Sequence, residues 1–167
     1  TGEELLAIDE LFGEGSLVLS REAATEANWR MQNIGNYQIL HFATHALSPN
    51  EASEIGEAAI VVTPIDDNDQ FDDGLLRASE IADLRLSADL AVLSACNTAK
   101  YDPNIVLSEV RGLAAAFSVA GVPAVMASLW PVDSESSQRL VTRSFEEILG
   151  RSAWPSKGLS TAQRDLC

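Results

Sequence analysis

Leu90-Ala91-Val92-Leu93-Ser94-Ala95-Cys96-Asn97-Thr98 is the stretch that decides how the chain is read. Four unbroken aliphatic residues, Leu90 to Leu93, have the composition of a central strand buried on both faces. The run then turns small and polar, as a chain does on leaving the carboxyl end of a strand. In open α/β sheets that edge collects ligands and catalytic groups. Cys96 stands there and is the best-placed nucleophile in the chain. The competing role is the ordinary one for a free cysteine, that of a small buried hydrophobe.

A second stretch, Ile39-Leu40-His41-Phe42-Ala43-Thr44-His45-Ala46, repeats the pattern. A buried strand over Tyr37 to Phe42 gives way to small polar residues and then to His45. The chain has two histidines, His41 and His45, and two cysteines, Cys96 and Cys167, and one of each follows the end of an apolar strand. If the two strands are neighbours and parallel, His45 and Cys96 meet above one sheet edge. A free thiol near neutral pH is mostly protonated, so a nucleophilic cysteine needs such a base. His41 and His45 have no acidic or cysteine partner at ligand spacing, so no zinc site is expected, and His41 is read as packed beneath the sheet edge. Asn97, next to Cys96, points to the opposite face if the strand continues, and is no orienter of the imidazole.

These motifs, together with Gly74–Leu90 before the cysteine and Gly112–Asp133 after it, resemble the CHAT domain. That is a caspase- and separase-like cysteine peptidase module, often attached to tetratricopeptide or other repeats. The resemblance runs from about Leu17 to about Leu166. It implies an α/β fold, a caspase-like three-layer sandwich with a mainly parallel central sheet and helices on both faces. It implies that His45 and Cys96 are the catalytic dyad and that the N–H groups of Ala46 and Cys96 form the oxyanion hole. The reaction it implies is cleavage of a protein or peptide substrate, with no metal or organic cofactor. Repeat domains in the parent protein are the further partners it implies. Trp130-Pro131-Val132-Asp133 resembles a separase segment whose acid pairs with a basic residue before the scissile bond. Trp130 and Asp133 are therefore substrate-binding candidates, and the other role open to Asp133 is capping the helix that follows it.

Two departures from the family pattern stand out. Glycine usually follows the catalytic histidine, where this chain has Ala46. Alanine keeps the N–H but adds a Cβ that disfavours positive φ. The family also closes with a further strand, and the sequence stops at Asp165-Leu166-Cys167 before reaching one. The expectation is one domain over residues 1–167, a fragment of a larger protein with a sheet edge left open to strand addition.

Composition narrows the class. A chain of 167 residues with 46% hydrophobic and 22% charged residues fits one domain with a substantial core. Two cysteines without framework spacing point to a reducing, cytoplasmic setting. No apolar run approaches a membrane span, and Thr1-Gly2-Glu3-Glu4 is not a signal peptide. A net charge of −14 argues against nucleic acid and acidic membrane surfaces. Gly13-Glu14-Gly15 precedes a strand and lacks a third glycine and a lysine, so no nucleotide loop is present.

Along the chain, apolar spacing predicts a helix over Thr1–Phe12, a strand over Ser16–Ser20 and a helix over Arg21–Asn33 with Ala23, Ala27 and Met31 on one face. Leu47–Gly56 reads as a loop beside the site and Ala58–Val62 as a further strand. Residues 66–74 are rich in aspartate but lack the glycine and glutamate of a calcium loop, and Asp73-Gly74 marks a hairpin tip or solvated turn. A short helix over Ala78–Asp83 leads into the cysteine strand. Beyond it come a helix over Leu107–Ala120, stopped by Gly121 and Pro123, a strand over Pro123–Leu129, and a helix capped by Ser134 and running to Leu149. A last helix begins at Leu159. Two functions stay open: a cysteine endopeptidase, favoured by His45 with Cys96, and a catalytically silent interaction module, favoured by Ala46 and the absent closing strand.

Overall fold

Leu90–Leu93 forms a strand whose four residues are all buried, flanked on each side by a parallel neighbour. The structure, a computed structural model, describes residues 2–47, 49, 56–65, 72–94, 103–128, 133–151 and 154–166, with backbone alone at 103–109, 134 and 151. In chain order its elements are α1 (Gly2–Phe12), α2 (Glu26–Met31), β1 (Ile39–Phe42), β2 (Ala46–Leu47), β3 (Ala59–Val61) and β4 (Leu75–Arg77). They continue with α3 (Ala78–Ala82), β5 (Leu90–Leu93), α4 (Pro103–Ala120), β6 (Val125–Ala127), α5 (Ser134–Arg151) and α6 (Pro155–Leu166). The chain divides into two compact units, Thr1–Val18 with Val132–Cys167, and Leu19–Pro131.

The second unit is an α/β body with two three-stranded sheets. One is parallel, in the order β1-β5-β6, with Ile39 opposite Leu90 and Ala91 opposite Val125. The other is antiparallel, in the order β2-β3-β4. A single apolar core runs through both. Leu40, Ala91 and Leu93 enter it from the parallel sheet, Ala46, Ile60 and Leu76 from the antiparallel one, and Leu113, Ala116, Phe117 and Ala120 from α4. These α4 positions recur at helical spacing, so one face of the helix is fully committed to the core. Phe117 has no exposed surface, and its ring lies 5.6 Å from that of Phe42 at the end of β1.

Helix α4 ends in a Schellman motif. Val122 N–H donates to Phe117 O and Gly121 N–H to Ser118 O, with Gly121 at φ +111°. A Cβ on Gly121 would lie 2.7 Å from Leu86 O, so only glycine fits this return to β6.

In the first unit, α5 and α6 pack together and Phe145 of α5 meets Phe12 edge-on at 5.4 Å. Gly158 lets the two helices approach, because a Cβ there would sit 2.7 Å from Ile148 Cγ1 and 2.8 Å from Ser144 O. Arg143 links Glu147 on its own helix to Asp165 on α6. Among the described residues no helix is long and apolar enough to cross a membrane.

Several sequence expectations are corrected. Ser16–Ser20 is not a strand: Leu17 is 45% exposed and buries no face there. The helix expected over Arg21–Asn33 is confined to Glu26–Met31, because Thr25 caps it, its Oγ1 accepting from Asn28 N–H at 3.1 Å. Met31, expected to share a helix face with Ala23 and Ala27, is 73% exposed. The strand near Ala58–Val62 belongs to the antiparallel sheet rather than the parallel one. Leu47 opens no loop but pairs with Ala59, and the rest of that loop lies mostly outside the described residues. The turn at residues 66–71 also lies outside them, while β3 and β4 pair antiparallel across it as a hairpin requires.

Candidate active site

The site is built where β1 and β5 end side by side. Phe42 is opposite Leu93, and Ser94 N–H donates to Phe42 O at 2.9 Å as the next rung. The sequence required the two strands to be neighbouring and parallel, with the cysteine strand central, and they are. His41, half-buried on β1, has Nε2 3.1 Å from Ser94 Oγ. Cys96 lies outside the described residues, as do Trp130 and Cys167.

Past Phe42 the chain leaves the parallel sheet and joins the antiparallel one, and His45 stands at that passage. Two bonds to one residue of β3 hold it: Thr44 Oγ1 donates to Val61 O at 2.7 Å, and His45 O accepts from Val61 N–H at 2.8 Å. The backbone is pinned while the His45 side chain is exposed. Thr44 and Val61 were not singled out from the sequence. The one signal for Thr44 is a hydroxyl residue just before the histidine.

Ala46 opens β2 opposite Ile60. Because Val61 N–H donates to His45 O and Ala46 is the next residue in register, opposite Ile60, the alternation of antiparallel ladders turns the Ala46 N–H away from β3. Its side chain is buried in the core. Among the described residues Arg21 is the sole non-glycine with positive φ, so Ala46 needs none of the freedom that glycine has.

Strand β3 is held in turn by its other neighbours. Val62 N–H donates to Gly74 O, and Thr63 bonds Ala24 O through its N–H and Arg21 O through its hydroxyl. Beneath β4 lies an ionic cluster. Glu26 is almost fully buried, pairs with Arg30 at 3.1 Å and accepts from Leu75 N–H. Arg30 also reaches Glu80 at 2.6 Å, Arg77 pairs with Asp73, and Glu80 accepts from Arg77 N–H at 2.8 Å. Burial, then the charge of Glu80, raises the Glu26 carboxyl above its ordinary range, outweighing Arg30. A carboxyl whose value is raised on folding stabilises the fold at low pH and loses that contribution as pH rises through its folded value. Glu26→Gln keeps an oxygen for Leu75 and does not titrate. The difference in thermal midpoint between variant and native chain should therefore move in the variant's favour from pH 4 to pH 7. A difference that stays constant, or moves the other way, refutes this assignment.

Asp133 belongs to the other unit and is fully exposed. Its Oδ1 accepts from Ser136 N–H at 2.9 Å, so Asp133 rather than Ser134 is the N-cap of α5. That bond holds its carboxyl below the usual carboxylate range. Among the described residues no cluster of three histidine, cysteine, aspartate or glutamate side chains is arranged to hold a metal.

Comparison with known proteins bears on the whole chain. Over 174 aligned residues it is 28% identical to tetratricopeptide repeat protein 28 of Mus musculus, an alignment that takes in 88% of this chain and 7% of that protein. The chain thus spans a small part of the curated relative it matches. The family model for the CHAT domain matches residues 1–167, the full length, and the chain belongs to the CHAT domain family.

Proposed function

We propose that the chain is a cysteine endopeptidase of the caspase- and separase-like clan, working through Cys96 and His45 in a caspase-like sandwich with helices on both faces of the parallel sheet. The observation that carries this reading is the register of β1 on β5. Ile39 pairs with Leu90 and Phe42 with Leu93, an offset of 51 residues, and the same offset separates His45 from Cys96. In the reaction the Cys96 thiol gives its proton to His45, and the sulfur adds to the substrate carbonyl carbon. Electron density moves to the carbonyl oxygen, held by the N–H groups of Ala46 and Cys96. The outward turn of the Ala46 N–H supports that role. Collapse breaks the C–N bond, and His45 protonates the departing amine. Water, deprotonated by His45, then adds to the thioester, and the thiolate leaves, reprotonated in turn. The thiol chemistry suits a reducing compartment, and no step calls for a metal or organic cofactor.

A test independent of substrate is alkylation by iodoacetamide, followed by mass spectrometry of the two cysteine peptides. Cys96 should react about tenfold or more faster than Cys167, and His45→Ala should remove the difference. Equal rates in the native chain would refute the dyad. The tetratricopeptide name of the mouse relative favours a second reading, a silent module that binds proteins, with repeat domains in its parent as neighbours. Equal rates are what that reading expects.

A further inference from the structure

We propose that Ser94 and His41 are a positioning pair that fixes the ends of β1 and β5 at the spacing thiol activation needs; this rests on the dyad reading above. Ser94 is tied to β1 twice. Its N–H donates to Phe42 O at 2.9 Å, and its hydroxyl lies 3.1 Å from His41 Nε2. The register sets His41 opposite Val92, and Leu40, Ala91 and Leu93 enter the core. Alternation therefore puts His41, Val92 and Ser94 together on the other face of the sheet. The pair sits at the last rung described between the strands, two residues before Cys96 and four before His45.

A rung near the end of a short parallel ladder opens more readily than one at its middle. Each strand here is four residues long, so a side-chain bond across its end adds to a small number of rungs that hold β1 and β5 in register. Displacing a reacting group by about 1 Å costs on the order of 100-fold in rate. The hydroxyl–imidazole bond restrains that displacement without itself touching substrate. His41 thereby gains a role that the sequence, which marked it only as packed beneath the edge, left open.

The experiment uses the full chain and iodoacetamide, with the alkylation rate of Cys96 compared with that of Cys167 in the native protein and in Ser94→Ala, Ser94→Thr and His45→Ala. Ser94→Ala is expected to slow Cys96 about tenfold. Its thermal midpoint should fall by no more than about 3 °C. Ser94→Thr, which restores the hydroxyl, should recover most of the rate. A native chain whose Cys96 preference is lost in His45→Ala but kept in Ser94→Ala overturns the positioning role and leaves the dyad standing. Equal slowing in Ser94→Ala and Ser94→Thr also overturns it, since packing and not the hydroxyl is then responsible. A native chain with no Cys96 preference overturns the dyad, and this inference with it.

Discussion

Peptide cleavage by the Cys96→Ala variant is expected to fall on the order of 10⁴-fold or more, to the level left by the oxyanion donors and binding alone. Without the sulfur no thioester forms, and water must attack the amide directly. His45→Ala is expected to cost less, about 100- to 1000-fold, because a small thiolate fraction persists near neutral pH and rises with alkalinity. The two losses should not add in the double variant, since a base has nothing to activate once the thiol is gone. The Cys96→Ala chain should keep its thermal midpoint within about 3 °C of the native one, because alanine preserves Cβ at a position beyond the last rung described on β5. A peptide library read by mass spectrometry measures cleavage, and a thermal scan measures stability. Cleavage that survives in Cys96→Ala removes this residue from the mechanism. A large stability loss with unchanged cleavage would assign it to the core instead.

The parallel sheet was legible because its strands are what parallel strands must be. Leu90 to Leu93 are aliphatic without interruption and buried on both faces, and Tyr37 to Phe42 carries the apolar Ile39, Leu40 and Phe42, of which Leu40 is buried. Each run ends in small polar residues, which marks both the edge of the sheet and the place to look for chemistry. The end of α4 was legible for the same kind of reason, since Gly121 and Pro123 are residues a helix cannot pass. The antiparallel sheet was hidden because β2 is two residues long and β3 and β4 are three. Strands that short carry no visible alternation, and Ala46-Leu47 alone says nothing of a partner. Glu26 was hidden by the opposite failure: a glutamate beside Thr25 reads as an exposed first-turn acid, whereas Arg30 and the Leu75 N–H hold it inside. The clamp of Thr44 on Val61 joins residues 17 apart, and no local pattern announces such a bond.

Phe117→Ala carries the largest stability effect expected of any single truncation in the second unit. Phe117 has no exposed surface and packs on Phe42, whose ring also meets Trp29 at 6.2 Å. Removing a fully buried phenyl ring takes away its transfer free energy and leaves a cavity, together costing about 3–5 kcal/mol. For a chain of this length that is a fall of roughly 10 °C in thermal midpoint. The cavity would open against the last residue of β1, three positions before His45, so its consequence is not confined to stability. At a temperature where the variant remains folded, the freed Phe42 ring should loosen the rung between Phe42 and Ser94. Amide exchange at Ser94 should then quicken ahead of the rest of β5. Phe117→Leu, which refills most of the volume, should recover more than half of the lost stability. The prediction fails if the alanine variant unfolds within about 3 °C of the native chain. It fails also if exchange accelerates uniformly along β5, because Phe117 would then support the sheet as a whole and not the end that carries the site.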